Sequence, residues 1–378
     1  FAEIANVNND FLDEEERDQR LCQLVNDMYN DTSKVYSKLW KPIEDSGVLV
    51  GAKNIFYSPC GDVNKINLEA LCTGKKKKEK VAGKTIESAE RLMDLYTFRE
   101  ILSTDEITDL KNKDKTPLSI HSALIYGYID YGTSPEDMIA EARLAHRCYG
   151  WRATREQGFG RLPATEVEAN TVKMILESPD RTIQVLMDKK ASEESLKGIS
   201  KHAPDVIHIA THGLFMSNNA DRQMSALASR KGITKKNDEM IYNFLAFSGI
   251  NNAWKGNPVS GPEDGIVTAE EVSWLDLRGC KLVVLSACET GLGTADLVDG
   301  VFGLQRGFKL AGADKIVMSL WTVNDVATSE LMKAFYQYLI NGKDGRVLSC
   351  HEALKEAKLY MISLGYSPYY WAGFVMLE

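Results

Sequence analysis

The sequence is 378 residues long, enough for two ordinary domains or for one large domain with an extension. Hydrophobic residues make up 44% and charged residues 26%, with 10 prolines against 28 glycines, which excludes collagen, disulfide scaffolds and disordered tails. The formal net charge is -8. Because nucleic-acid binding usually needs a basic face, we expect no direct contact with nucleic acid.

The cysteine pattern predicts a reducing compartment and no metal. Seven cysteines lie at 22, 60, 72, 148, 280, 288 and 350, without CxxC or Cys/His ligand spacing. No phosphate-binding or dinucleotide motif is present, so we expect no cofactor. No apolar run approaches the ~20 residues of a membrane helix and no leader is recognisable, so we expect a cytoplasmic protein with no membrane contact. Since the chain begins at Phe1 rather than Met, we expect it to be the end of a longer chain.

Apolar residues at three- and four-residue spacing over 14–41 predict one long amphipathic helix. Four consecutive lysines, Lys75 to Lys78, predict an exposed loop, with a binding patch as the alternative. The pattern up to residue 146 also predicts a strand at 48–58, a helix at 86–102, a strand at 119–126 and a helix at 134–146.

A glycine-rich stretch between residues 150 and 161 marks a change in composition. This boundary and the first helix predict three segments. They are an N-terminal helical segment over 1–46, a smaller α/β unit over 47–160 and a larger α/β domain over 161–378.

Strands and helices alternate plainly after residue 161. Thr165 with Glu168, and Thr268 with Glu271, have the spacing of capping boxes and each predict a helix start. The strand at 281–286 is continuously apolar, so we expect it at the centre of the sheet. The alternation predicts an α/β fold with a mostly parallel sheet and helices on both faces, whose chemistry lies beyond the carboxyl ends of the strands. The predicted strands are 182–187, 206–210, 244–250, 281–286, 315–320 and 371–377, and the main predicted helices are 298–311, 326–340 and 347–363.

Two strand ends carry residues suited to nucleophilic catalysis. One predicted strand leads into His212 and Gly213, and another leads into Cys288. A cysteine nucleophile needs a base that raises its thiolate fraction, and N–H donors for the tetrahedral oxyanion. Because neighbouring strand ends supply both, His212 and Cys288 are the candidate base and nucleophile.

Each of these residues also has an ordinary structural explanation. A cysteine after an apolar strand is often a small buried hydrophobe, and a lone histidine is often a hydrogen-bonded structural residue. His208 shares the predicted strand face of His212 and is interpreted as a packing residue. Glu289 is expected to point away from a thiolate. The pairing of His212 with Cys288 favours the catalytic interpretation.

Several segments resemble the CHAT family, a caspase-like module often joined to tetratricopeptide repeats. They are Ala210 to Gly213, Asp264 to Glu271, Ser286 to Gly293, Gly300 to Gly312, Ser319 to Trp321 with Asp325, and Tyr369 to Val375. The resemblance runs from about residue 39 to the end and is faint before residue 160. It implies a caspase-like fold for 161–378 and a degenerate caspase-like unit over 47–160.

The resemblance also implies residue roles. His212 and Cys288 would be the dyad of a cysteine endopeptidase, with the N–H groups of Gly213 and Cys288 as the oxyanion hole.

A substrate pocket is implied at Ser286, Trp321 and Asp325. Asp325 either points into the pocket, which would select Arg or Lys before the cleaved bond, or caps the following helix. The cap is the commoner use of such an Asp, and it favours an uncharged residue there.

Two features depart from the caspase pattern. His212 and Cys288 are 76 positions apart, against ~50 in caspases. Most of the excess is the polar stretch 214–243, for which a tolerated surface insertion and a regulatory loop are open alternatives. No long polar linker follows Cys288, so we expect no cleavage of the chain into two subunits.

From the resemblance we expect an endopeptidase that cleaves a specific protein substrate and serves antiviral defence. Its expected partners are an upstream tetratricopeptide-repeat region or a regulatory protein, with an RNA-guided effector complex among the candidates. A catalytically silent scaffold or sensor is the alternative, and a thiol acyltransferase or amidase is a third. An intact His/Cys pair favours an enzyme, because a scaffold needs neither group.

Overall fold

A computed structural model describes most of the chain. The described residues are 14–59, 61–81, 84–102, 107, 118–145, 159–215, 243–255, 257, 259–286, 299–321 and 324–378. Within these ranges, no helix is both long and apolar enough to cross a membrane.

Helices and strands alternate along the described chain. The strands are β1 Asn54–Tyr57, β2 Cys72–Val81, β3 Lys84–Arg91, β4 Thr97–Glu100, β5 Ser122–Ile129, β6 Thr182–Asp188, β7 Val206–Ile209, β8 Gly213–Phe215, β9 Asn243–Ala246, β10 Ile266–Thr268, β11 Leu282–Leu285, β12 Ile316–Ser319 and β13 Phe374–Leu377. The helices are α1 Glu14–Asn30, α2 Lys41–Asp45, α3 Leu92–Leu95, α4 Pro135–Ala145, α5 Pro163–Leu176, α6 Glu193–Lys197, α7 Ile250–Trp254, α8 Ala269–Ser273, α9 Asp299–Leu310, α10 Asp325–Asn341, α11 Cys350–Ser363 and α12 Pro368–Trp371.

The chain groups into two compact units by proximity of Cα atoms. The first unit comprises Phe1–Leu118 and Glu330–Glu378, and the second comprises Ser119–Ser329. The domain boundaries expected near residues 46 and 160 stay predictions. The spatial grouping of residues does not show where one evolutionary domain ends and the next begins.

Parallel strands form the centre of the second unit, in the order β12, β11, β7, β5, β6. Every residue of β7 and β11 is buried, as expected for strands covered on both faces. Because β11 lies between β12 and β7, the predicted central position of 281–286 is confirmed. The predicted α/β fold, with a mostly parallel sheet flanked by helices, is confirmed as well.

A separate antiparallel sheet in the second unit has the order β10, β9, β8. Its middle strand, β9, covers the first part of the strand predicted at 244–250, and the chain turns into α7 after it. The register pairs Gly213 with Leu245, so this sheet holds the backbone that directly follows His212.

Helix α5 packs directly on β5 because the strand carries a glycine at the contact. A Cβ atom on Gly127 would lie 2.6 Å from the carbonyl oxygen of Thr165. Thr165 lies inside α5, with Leu162 as the N-cap, so the capping box predicted for Thr165 and Glu168 was wrong. The box of Thr268 with Glu271 is present at the start of α8 and is confirmed.

Parallel strands of the first unit have the order β1, β4, β13. Between β1 and β4 in the sequence, β2 and β3 form an antiparallel hairpin. Lys75 to Lys78 lie within β2, so the predicted loop was wrong. Lys76 pairs with Glu87 at 3.0 Å and Lys77 with Asp94 at 2.7 Å, which stabilises an extended conformation for the lysine run.

Two helix predictions in the first unit were also wrong. The helix predicted over 14–41 ends at Asn30, because Asp31 Oδ1 accepts hydrogen bonds from the backbone N–H and hydroxyl of Ser33 and forms a turn. A π-helical turn at Tyr36–Trp40 follows. The helix predicted over 86–102 is instead the end of β3, the single turn α3 and strand β4.

A buried ion cluster lies in the first unit. The Glu69 carboxylate lies 3.0 Å from His351 Nε2 and 2.9 Å from Lys358 Nζ, and the Lys358 side chain is 1% exposed. Although burial alone would raise it, Lys358 and His351 hold the pKa of Glu69 below its ordinary value. The free energy of unfolding therefore depends on both partners, because removing one leaves a buried charge incompletely compensated.

Replacing Lys358 by Met should lower the free energy of unfolding by about 3 kcal/mol or more, since the Glu69 carboxylate would lose its ammonium partner while remaining buried. Urea denaturation followed by circular dichroism measures the loss. Lys343→Met is the control, because Lys343 pairs with Glu356 at 2.6 Å while its side chain is 38% exposed. The control should cost no more than about 1 kcal/mol. Equal losses in the two variants would contradict the prediction.

Candidate active site

Strands β7 and β11 end at the same level of the sheet. Ile209, the last residue of β7, is in register with Leu285, the last residue of β11. The N–H of Ser286 donates to the Ile209 carbonyl at 3.1 Å, which extends the pairing by one residue. His212 follows Ile209 by three positions, and Cys288 follows Leu285 by three positions. Cys288 lies outside the described residues.

The His212 side chain packs against two aromatic rings that also contact each other. Its ring centroid lies 4.8 Å from that of Tyr131 and 5.4 Å from that of Phe159, and the residue is 6% exposed. Its Nε2 lies 2.7 Å from the carbonyl oxygen of Gly160. A carbonyl only accepts, so Nε2 is the protonated nitrogen of this contact. In the neutral imidazole, the lone pair is therefore on Nδ1, which is the nitrogen able to accept a proton.

The backbone around His212 is fixed by the residue before it. Thr211 is fully buried, its hydroxyl donates to the Ala246 carbonyl, and it lies 2.9 Å from the Tyr131 hydroxyl. The His212 carbonyl accepts from the Ala246 N–H at 2.9 Å. These bonds set the direction in which the chain leaves β7, and so set the position of the imidazole.

The predicted pocket residues lie at the same edge of the sheet. Ser286 directly follows β11, and Trp321 lies two positions after β12, the parallel neighbour of β11. Ser286 is fully buried, and its hydroxyl finds no hydrogen-bond partner among the described residues. A buried polar group of this kind is uncommon and is often found at functional sites.

Asp325 is not the cap of α10. The cap is Asn324, whose Oδ1 accepts from the N–H groups of Val326 and Ala327, both at 3.1 Å. The alternative that assigned the cap to Asp325 was therefore wrong. Asp325 is the first residue of the helix and is half-buried. A carboxylate in the first helical turn is favourable because the helix dipole is positive there.

His208 lies in the middle of the sheet rather than at its edge. It is fully buried, in register with Val284 of β11 and Ile125 of β5. Its Nε2 lies 3.0 Å from Glu168 Oε1 on α5. Its surroundings agree with the packing interpretation, and they explain why Glu168 does not serve a capping box.

An acidic cluster around Lys197 holds the segment that leads into β10. Lys197 Nζ lies 2.7 Å from Glu193, 3.2 Å from Glu263 and 3.2 Å from Glu271. Glu193 Oε2 also accepts from the Gly265 N–H at 2.9 Å. Burial and then the neighbouring Asp264 and Glu271 carboxylates raise the pKa of Glu193 well above its ordinary value. The cluster thereby supports the sheet of β8, β9 and β10.

In the part of the chain that the structure describes, no group of three or more His, Cys, Asp or Glu side chains is placed to hold a metal ion. Glu289 and residues 216–242 of the polar insertion lie outside that part.

Three contributors to the site were not predicted from the sequence. Tyr131, Phe159 and the Gly160 carbonyl contact His212, although Gly160 is 52 positions away in the chain. Every residue has a backbone carbonyl, so the residue type does not reveal which carbonyl contacts His212. The glycine-rich composition near residue 160 was the one signal that the backbone there could approach another group closely.

Comparisons with known proteins show the family to which the chain is similar. The family model described as CHAT domain matches residues 31–378. The mouse protein Tetratricopeptide repeat protein 28 is 29% identical over 228 residues, which are 58% of this chain and 9% of that protein. The human protein of the same name is 30% identical over 230 residues, which are 58% of this chain and 8% of that protein. The chain thus spans less than a tenth of the length of these relatives.

Glu193→Gln should make stability less dependent on pH. The raised pKa means that the folded state keeps a proton that the unfolded state releases above about 4.5. The stability contributed by this proton is complete below that pH and is lost as pH rises through the folded-state pKa. Urea midpoints at pH 5 to 8 should therefore fall less steeply in Glu193→Gln than in the wild type. The exposed Glu177→Gln is the control, and identical slopes in both variants would contradict the prediction.

Proposed function

Because the chain belongs to the CHAT domain family, which is related to the caspase-like proteases, we propose that it is a cysteine endopeptidase with His212 and Cys288 as its dyad. The observation that carries the proposal is the common end of β7 and β11, with Ile209 in register with Leu285. Equal offsets of three residues beyond these partners would bring the imidazole and the thiol to one edge of the sheet.

In the proposed mechanism, His212 Nδ1 takes the proton of the Cys288 thiol, and the thiolate attacks the peptide carbonyl. The imidazolium then returns a proton to the leaving amine, and water hydrolyses the acyl-enzyme. The contact of Nε2 with the Gly160 carbonyl supports this role, because that carbonyl accepts a hydrogen bond from Nε2 in both protonation states.

The N–H groups of Gly213 and Cys288 are the proposed oxyanion hole. Gly213 opens β8 directly after His212, and its backbone is held by pairing with Leu245. Preorganised donors of this kind stabilise the tetrahedral intermediate because they need no reorganisation during the reaction.

Control by a partner is also proposed. The relatives are named for tetratricopeptide repeats and are far longer than this chain. We therefore propose that such a repeat region or a regulatory protein controls the activity. The family resemblance adds an RNA-guided effector complex as one candidate partner, and a cytoplasmic antiviral role. Residues 216–242 join the paired strand ends Phe215 and Asn243, so a partner that contacts this insertion would act close to His212.

Cys288→Ala and His212→Ala should each reduce peptide cleavage by on the order of a thousandfold or more while the protein stays folded, because each removes one reacting group. Mapping of new N-termini in a proteome, with wild type against Cys288→Ala, measures cleavage and identifies the substrate. A peptidyl electrophile should label Cys288 in the wild type and fail to label it in His212→Ala.

Cys280→Ala is the matched control for labelling. Burial raises the pKa of the Cys280 thiol to about 12, so it carries almost no thiolate at neutral pH. Its removal should leave labelling and cleavage unchanged. Cleavage that persists in Cys288→Ala would refute the dyad. His212-dependent labelling without cleavage products would favour an acyltransferase or amidase, and the absence of both labelling and cleavage would favour the scaffold.

The residue before the cleaved bond should be uncharged. Asp325 lies in the first turn of α10, where its carboxylate interacts favourably with the helix dipole, and Ser286 offers no charge. Asp325→Asn should therefore lower stability by about 0.3–1 kcal/mol and leave the cleavage preference intact. Profiling of a peptide library with the activated enzyme checks this. Strong selection for Arg or Lys that disappears in Asp325→Asn would show that Asp325 lines the pocket.

A further inference from the structure

The Gly160 carbonyl is positioned by the residue before it in the chain. Phe159 N–H donates to Asn251 Oδ1 at 2.6 Å, and Asn251 Nδ2 donates to the Phe159 carbonyl at 2.9 Å. The carboxamide thus pairs with both the N–H and the carbonyl of Phe159, as a residue of a neighbouring antiparallel strand would. Only one orientation of the amide satisfies both bonds, because the backbone offers one donor and one acceptor.

Asn251 is itself fixed to the loop that carries the other ring of the site. Its N–H donates to the Tyr131 carbonyl at 3.0 Å, and the Gly249 N–H donates to the Asp130 carbonyl at 3.2 Å. Tyr131 and Phe159 are the two rings that pack against the His212 imidazole. Asn251 therefore connects the two aromatic neighbours of His212, through its backbone N–H to Tyr131 and through its side chain to Phe159.

On the other side of Gly160 the attachment is more exposed. Arg161 lies 2.6 Å from Asp188 and 3.3 Å from Asp130, and its side chain is 38% exposed. Ion pairs at such exposure are weak because water screens them. The carboxamide of Asn251, bonded at two points, is the stronger restraint on the position of the Gly160 carbonyl.

We infer that Asn251 is a positioning residue for catalysis, which aims the Gly160 carbonyl at His212 Nε2 through its two hydrogen bonds to Phe159. This inference rests on the proposed role of His212 as the base. The aimed carbonyl stabilises the imidazolium and keeps the Nε2–H tautomer, so it favours transfer of the thiol proton to Nδ1. Without Asn251, the carbonyl is free to turn away, and the thiolate fraction of Cys288 falls.

The neighbouring residue provides a matched control. Asn252 lies in the same helix, and its Nδ2 donates to the Thr133 carbonyl at 2.8 Å, a contact that does not include Phe159 or Gly160. Asn252→Ala removes a comparable hydrogen bond from a side-chain amide to a backbone carbonyl. Asn251→Asp keeps the acceptor for the Phe159 N–H and sets a carboxylate oxygen against the Phe159 carbonyl, so it breaks only the donor half of the pairing.

The experiment measures the rate at which iodoacetamide alkylates Cys288 between pH 5 and 9, by mass spectrometry of the Cys288 peptide. The thiolate displaces iodide and forms a C–S bond, so the rate follows the thiolate fraction. The wild type should show an apparent pKa below the ~8.5 of an ordinary thiol, and His212→Ala should return to about that value. Asn251→Ala and Asn251→Asp should slow alkylation at pH 6.5 by about tenfold. Asn252→Ala should keep the alkylation rate and pH profile of the wild type, while losing about as much thermal stability as Asn251→Ala.

Two failures are distinguishable. If His212→Ala leaves the pH profile of the wild type unchanged, the dyad is refuted. If His212→Ala shifts the profile and both Asn251 variants keep the wild-type profile, the dyad stands and the inference about Asn251 is overturned. A variant that loses its cooperative thermal transition is set aside, and the other Asn251 variant decides.

Discussion

The Asp205 carboxylate holds the starting ends of three neighbouring strands in register. Its Oδ2 accepts from the backbone N–H groups of His121 and Ser122, at 2.6 and 3.2 Å, where β5 begins. Its Oδ1 lies 2.8 Å from Lys281 Nζ, just before β11, and Asp205 itself precedes β7. Because a slip of one residue would turn every side chain to the opposite face, fixing one end of these strands also fixes which residues reach the other end together. The level at which β7 and β11 end, on which the proposed dyad depends, follows from this clamp.

The second unit was predictable from the sequence because its buried strands are locally apolar. The strand predicted at 281–286 contains β11, and the helix predicted at 298–311 contains α9. The first unit was less predictable, because its hairpin depends on cross-strand charge pairs that residue type alone does not indicate. Lys77 reaches Asp94, and the hairpin aligns Lys78 with Glu87. A run of like charges predicts solvent exposure, but it does not show which strand neutralises it.

Within the site, the sequence could identify reactive groups and could not identify what orients them. His212 was recognisable as an imidazole at a strand end followed by glycine. The orienting contacts are backbone hydrogen bonds, and Asn251 is 92 positions from Phe159, with which it pairs. Such pairing leaves no trace in residue spacing, since any nearby peptide unit offers the same donor and acceptor. Only the structure shows with which backbone groups the Asn251 side chain pairs.

The kind of partner that His212 has bears on the choice of nucleophile. Ser286 and Cys288 both follow β11 in the sequence, and each carries a group that can act as a nucleophile. A serine hydroxyl is far less acidic than a thiol, and enzymes that activate it usually support the histidine with a carboxylate. Here Nε2 meets the neutral Gly160 carbonyl, while the buried carboxylate of Glu168 lies beside His208 instead. A neutral acceptor suffices for a thiol, because its ordinary pKa of ~8.5 lies close to neutral pH. The division of partners between the two histidines therefore favours Cys288 as the proposed nucleophile, and the proposed place of Ser286 in the pocket wall is unaffected by it.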